Sequence, residues 1–174
     1  MLHHPDQETY SMTLKIPVFL AFLTWSITAY ATRYPLTYDE HADPKSEFVT
    51  ALAEARSSDK KVLIIFGANW CPDCQKFDKQ LQSASINAVI DNKFVIIKAN
   101  IGNWDKNMDF AEWFGNPAKE GIPSIAIVDA DRNLYSTTHG NELAMLRYYS
   151  TTKLTDWFIL LANDLHEKKI LDYK

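Results

Sequence analysis

Two runs of β-branched and aromatic residues, Val62 to Phe66 (VLIIF) and Phe94 to Ala99 (FVIIKA), constrain this chain more than any other feature. Each is an almost unbroken apolar stretch between polar flanks, which predicts strands covered on both faces. Helical patterns lie between them: one begins near Pro72 and runs through Phe77 and Leu81, and another spans Ile86 to Ile90. A strand, a helical crossover and a second strand pair in parallel. Upstream, Asp43 followed by Pro44 reads as an N-cap with proline in the first turn, and Phe48, Leu52 and Ala55 recur at helical spacing through about Ser57. Downstream, Asn107 to Phe114 reads as a helix stopped at Gly115. Ser124 to Val128 is a third strand, and the polar Asp129 to Asn133 turns it into a fourth, Leu134 to Thr138. Leu154, Trp157, Phe158, Leu161 and Leu165 form the apolar stripe of a final helix. The predicted fold class is α/β: a mixed central sheet flanked by helices, with one helix ahead of the first strand.

The segment ahead of this domain differs in character. Ile16 to Ala31 (IPVFLAFLTWSITAYA) carries no charge and falls short of the roughly 20 apolar residues a membrane span needs. Lys15 precedes it and Ala29-Tyr30-Ala31 supplies a small-x-small cleavage pattern. The expectation is a signal peptide over residues 1–31, cut after Ala31. Met12 is an alternative start, because Asp6 and Glu8 do not suit a positively charged leader. An uncleaved anchor and a buried N-terminal helix are the competing readings. Residues 32–42 are then a polar, aromatic-bearing lead-in, residues 43–168 the domain, and residues 169–174 a solvated tail. The formal net charge of -4 leaves no broad cationic surface, which argues against nucleic acid as a partner.

Cysteine occurs twice, at Cys71 and Cys74, between a strand ending at Phe66 and a helix starting around Pro72. Cys71 therefore falls at a helix N-terminus, where unpaired N–H groups and the helix dipole favour a thiolate. Pro72 in the first turn costs no hydrogen bond. Cys74 stands one turn on, within reach of a mixed disulfide formed on Cys71, so Cys71 reads as nucleophile and Cys74 as resolving thiol. Three plainer readings compete. Zinc needs about four ligands, and His41, His139 and His166 have no tight spacing to the pair. A structural disulfide of so short a span removes little loop entropy. An inert buried thiol pair is at odds with an oxidising compartment. Redox exchange is the expectation, with no metal and no organic cofactor.

The runs VLIIFGANWCPDC and FVIIKANI, Gly121-Ile122-Pro123-Ser124, and Gly140 after the hairpin resemble the thioredoxin superfamily over roughly Phe48 to Leu165. The run CPDCQKFDKQLQSASI is similar to exported thioredoxin-like proteins such as the C-terminal domain of the disulfide reductase DsbD. The resemblance implies a thioredoxin fold, a cis Ile122-Pro123 bond facing the cysteines, and a substrate surface made by Trp70, Pro72, Ile122 and Pro123. It also implies that Lys98 neighbours a buried acid assisting the second cysteine. In thioredoxin that acid stands six residues before the first cysteine, and here the position is Ile65. Another carboxylate, water, or a less activated Cys74 would follow from that departure.

Asp73, beside Cys74, opposes a thiolate electrostatically while suiting a first helical turn. That balance predicts a Cys71 thiol less depressed than in strong oxidants, hence a reductant. The function expected is an exported, periplasmic protein-disulfide reductase acting on protein disulfides as a monomer. Its electrons would come from a thiol reductase, in the membrane or soluble. A disulfide oxidase or isomerase, and a client-binding module without turnover, are the alternatives.

Overall fold

The computed structural model of the chain describes residue 1 and residues 37–138, 142–143 and 145–163. The expected leader, His139, Gly140, Leu165, His166 and the expected tail lie outside the described residues. Among the described residues, four strands form one sheet in the order β2-β1-β3-β4. The strand β1 (Lys61–Gly67) pairs in parallel with β2 (Phe94–Asn100), with Ile65 beside Lys98. On its other edge β1 pairs antiparallel with β3 (Ser124–Val128), which pairs antiparallel with β4 (Leu134–Thr137). Val62 through Phe66 are fully buried, so the unbroken apolar run is the strand enclosed on both faces. This is the mixed sheet of a thioredoxin fold.

Among the described residues, five helices surround it. The first, α1 (Pro44–Ser58), starts where Asp43 accepts the Lys45 N–H at 3.0 Å and lies against β1 and β2. The second, α2 (Pro72–Leu81), leaves the end of β1 through a short turn. The third, α3 (Ala84–Lys93), packs on β2 and on α5 (Thr151–Ala162). The short α4 (Met108–Glu112) lies between β2 and β3. It closes by tightened bonds from Trp113 to Phe110 and from Phe114 to Ala111. Gly115, at φ 78, donates to Glu112, and Asn116 donates to Ala111, a Schellman arrangement at the glycine that the sequence marks as a stop. The helix is shorter than Asn107 to Phe114 because Asn107 has left-handed φ and the last turn narrows.

Aromatic rings fill the space between layers. Phe110 sits edge-on to Phe48, Trp113 and Phe114 at centroid distances of 5.7, 5.3 and 5.1 Å, and lies 6.0 Å from Phe66. Phe77 of α2 stacks on Phe158 of α5 at 6.2 Å. Phe114 is thus part of this packing, while Trp113 borders it with more than half its surface exposed. Phe110 is fully buried at the centre of its cluster. Phe110→Ala is therefore expected to lower unfolding free energy by about 3–5 kcal/mol, whereas Asp43→Ala, losing only a cap, costs about 1 kcal/mol. Chemical denaturation of both variants checks the contrast, and equal losses would contradict it.

Candidate active site

The site begins where β1 ends. Gly67 closes the strand, the chain turns through Ala68, Asn69 and Trp70, and Cys71 caps α2. A sulfur takes the place usually held by a serine or aspartate oxygen: Cys71 Sγ accepts the Cys74 backbone N–H at 3.3 Å. Both cysteines are free thiols and both are buried, Cys71 at 4% exposure. The Cys71 thiol is lowered to about 7, first by hydrogen bonding from the Cys74 side chain and then by backbone N–H groups of Cys74 and Asp73. Burial and the Asp73 charge pull the other way. Cys74 moves in the opposite direction: its bond to Cys71 and its burial hold the proton on. One sulfur is poised to ionise and the other to stay a thiol, the asymmetry a two-step exchange requires.

Beneath Cys74 lies a carboxylate that answers the departure at Ile65. Asp78, four residues on along α2, shares the inward face with Cys74 and is 3% exposed. Its Oδ2 pairs with Lys98 Nζ at 2.7 Å, while its Oδ1 has no hydrogen-bond partner. Burial raises the Asp78 carboxyl to about 6 against the lowering pull of Lys98, and burial lowers Lys98. Lys98 stands beside Ile65 in the parallel ladder. The acid therefore reaches the lysine from helix α2 instead of from strand β1. Lys98 is enclosed, neither solvated nor at a frayed strand end.

Asp73 is also buried, and it is compensated. The Arg147 guanidinium grips it through Nε at 3.2 Å and Nη2 at 2.6 Å, and the Arg147 backbone N–H adds a bond at 3.0 Å. The pair ties the first turn of α2 to a short 3-10 turn, Leu146–Tyr148. Arg147, its own proton held by Asp73, interacts favourably with the Cys71 thiolate as well. Reading Asp73 as an isolated negative charge thus overstates its effect.

Across from α2, the Ile122–Pro123 peptide bond is cis. Cys71 Sγ lies 3.6 Å from the Ile122 carbonyl oxygen, as donor to it. Pro72 is exposed at the first position of α2. Trp70 is half exposed; its Nε1 donates to Gly102 O at 2.9 Å and its ring lies 5.7 Å from that of Trp104. The fold thus gathers Trp70, Pro72, Ile122 and Pro123 round the cysteine pair, with Asp73 above and Lys98 below.

Three residues of this neighbourhood escaped sequence reasoning: Asp78, Arg147 and Tyr38. Asp78 carried a signal, since Cys74, Phe77, Asp78 and Leu81 repeat at the spacing of a buried helical face. Arg147 carried none, being remote in sequence and in no periodic element. Tyr38 sits in the lead-in, where no period exists to mark it as core, although it is 2% exposed.

The thioredoxin-like family pattern matches residues 43–130. A solved structure of a disulphide isomerase from Xylella fastidiosa Temecula1 is 38% identical at a TM-score of 0.69, covering 72% of this chain and 95% of that one. The DsbD C-terminal domain of Neisseria meningitidis, in its oxidised form, has 16% identity and a TM-score of 0.48, over 71% of this chain and 97% of its own. Probable nucleoredoxin 3 of Oryza sativa subsp. japonica is 27% identical over 97 residues, which is 45% of this chain and 21% of the rice protein. The chain thus spans about a fifth of that curated relative's length. With half its length matched by the family pattern and a solved relative followed almost end to end, this chain belongs to the thioredoxin-like family.

Proposed function

We propose that the chain is a protein-disulfide reductase that passes two electrons from the Cys71–Cys74 dithiol to client disulfides. The observation carrying this reading is where the two sulfurs sit: Cys71 Sγ caps α2 and accepts the Cys74 N–H at 3.3 Å, which favours its thiolate, while Cys74 is fully buried on the helix face it shares with Asp78, which keeps its proton on. The Cys71 thiolate attacks one sulfur of a client disulfide, and the other client sulfur leaves as a thiolate. Cys74 then gives its proton to Asp78 and its sulfur attacks Cys71 Sγ. The bond between Cys71 and the client breaks, the client's second thiolate departs, and a Cys71–Cys74 disulfide remains. A dithiol reductant, membrane-bound or soluble, returns the two electrons. The cysteine pair is itself the redox carrier, and the reading needs neither metal nor organic cofactor.

The client is held as an extended segment against the backbone at Ile122, beside Cys71, in the manner of an added strand. Trp70 and Pro72 border that path. The thiol supports this direction: catalysts that oxidise strongly carry a nucleophile near 3.5, whereas a value near 7 goes with reducing couples. Asp78 offers a carboxylate where Ile65 cannot, which supports turnover over a client-binding module. The uncharged run ending at Ala31 supports work outside the cytosol, where misformed disulfides arise. Among the described residues no helix is long and apolar enough to cross a membrane.

Equilibration against glutathione or dithiothreitol buffers is expected to give a potential of about -200 to -270 mV, and one near about -120 mV would reverse the assigned direction. Alkylation of Cys71 in the reduced chain is expected to follow a titration with a midpoint of about 7, and to move upward in Cys74→Ala, which removes the side-chain donor. The resolving step should gain rate as pH rises through about 6, because Asp78 accepts a proton only once ionised. Asp78→Asn is expected to slow that step and flatten the rise. An unaltered profile in stopped-flow resolution of a mixed disulfide would exclude Asp78 as the proton acceptor.

A further inference from the structure

A second buried group borders the resolving sulfur, and it comes from outside the strand–turn–helix unit. Tyr38, in the lead-in ahead of α1, has its backbone clamped on both sides by one side chain. Its N–H donates to Asn69 Oδ1 at 2.7 Å, and its C=O accepts from Asn69 Nδ2 at 2.9 Å. Asn69 lies two residues before Cys71, and its own carbonyl accepts from Gln75 Nε2 of α2 at 2.6 Å. The lead-in is thereby fastened to the turn that presents the cysteines.

The ring and the hydroxyl do different things. The ring lies over Lys98 Nζ, 4.1 Å from it. The hydroxyl reaches across Gly67: a β-carbon on that glycine would overlap the Tyr38 oxygen and stand 3.0 Å from Cys74 Sγ. Gly67 therefore leaves room for phenol and thiol side by side. In the dithiol the hydroxyl forms no hydrogen bond of ordinary geometry, an expensive state for a buried O–H. Burial first, then the neighbouring Cys74 and Asp78, push the phenol well above its usual pKa, so it remains a proton-bearing donor.

We infer that Tyr38 is a catalytic residue of the resolving step, its O–H donating a hydrogen bond to Cys74 Sγ as that sulfur becomes a thiolate. The inference rests on the exchange reading of the same site. No proton leaves the phenol. The Cys74 proton passes to Asp78, the sulfur's electron pair forms the bond to Cys71 Sγ, and the client thiolate leaves. Tyr38 lowers the cost of the charge while it resides on Cys74, a donor already in place where charge develops. Neither Asp78, an acceptor once ionised, nor Lys98, already bound to Asp78, supplies that neutral donor.

The test uses the reduced chain and one equivalent of dithiobis(nitrobenzoate), which releases a coloured aromatic thiolate at each half-reaction. Rapid mixing separates attack by Cys71 from resolution by Cys74, and Cys74→Ser, stopping at the mixed disulfide, assigns the phases. Tyr38→Phe keeps the ring on Lys98 and removes only the O–H. Its first release is expected to stay within about twofold of wild type, and its second to slow by about tenfold or more, the size of a hydrogen bond to a charged group. An unchanged second release in Tyr38→Phe, or equal slowing of both, would overturn the role of Tyr38 and leave the exchange reading standing. A wild-type chain that releases a single thiolate would instead overturn the exchange reading, and Tyr38's role with it.

Discussion

A lysine and an aspartate, both out of water, hold each other behind the second cysteine. An ion pair in such a place is favourable only when its geometry is good and its surroundings are fixed, because the water each charge gave up is costly to replace. Lys98 and Asp78 meet at 2.7 Å, and that distance sets requirements on three separate parts of the chain. The parallel register must put Lys98 beside Ile65. The helix must leave the strand in the phase that turns Asp78 inward with Cys74. A cover must close over the ammonium, and the Tyr38 ring provides it. A shift in any of these would strand a charge.

The charges nearer the surface are arranged on the same logic. Asp73 sits at the positive end of α2, where a carboxylate is welcome, and Arg147 neutralises it from a distant turn. The result is a helix terminus whose electrostatics are settled by its own neighbours. The Cys71 sulfur then responds to local donors: Cys74 and the backbone N–H groups of the first turn. Its acidity is a product of helix capping, with sulfur in the role that oxygen plays in most helices.

The sheet and the cysteine pair were legible because they are written in local patterns. The run VLIIF can hardly be anything but an enclosed strand, and Asp43-Pro44 names a helix start without help from the rest of the chain. What escaped was whatever depends on two distant segments meeting. Arg147 reaches Asp73 across seventy-four residues of sequence, and no periodicity announces it. Asp78 is an intermediate case. The stripe of Cys74, Phe77 and Leu81 marks Asp78 as inward-facing, but the thioredoxin pattern puts the acid at the position of Ile65 on the strand. Here the carboxylate under the second thiol comes from the other side of the pocket, on α2.

The clamp between Tyr38 and Asn69 bears on where this domain begins. The family pattern starts at Asp43, and a protein trimmed to that boundary would retain the sheet, α1, the cis-proline loop and both sulfurs. It would lack the strip that roofs Lys98 and borders Cys74, opening the pocket to solvent from one side. Asn69 would present an amide with nothing to bind, and Gly67 would face a gap in place of a phenol. The edge recognised by shared ancestry and the edge of the packing around Cys74 are five residues apart, and the second is set by a side chain inside the motif rather than by any feature of the segment it captures.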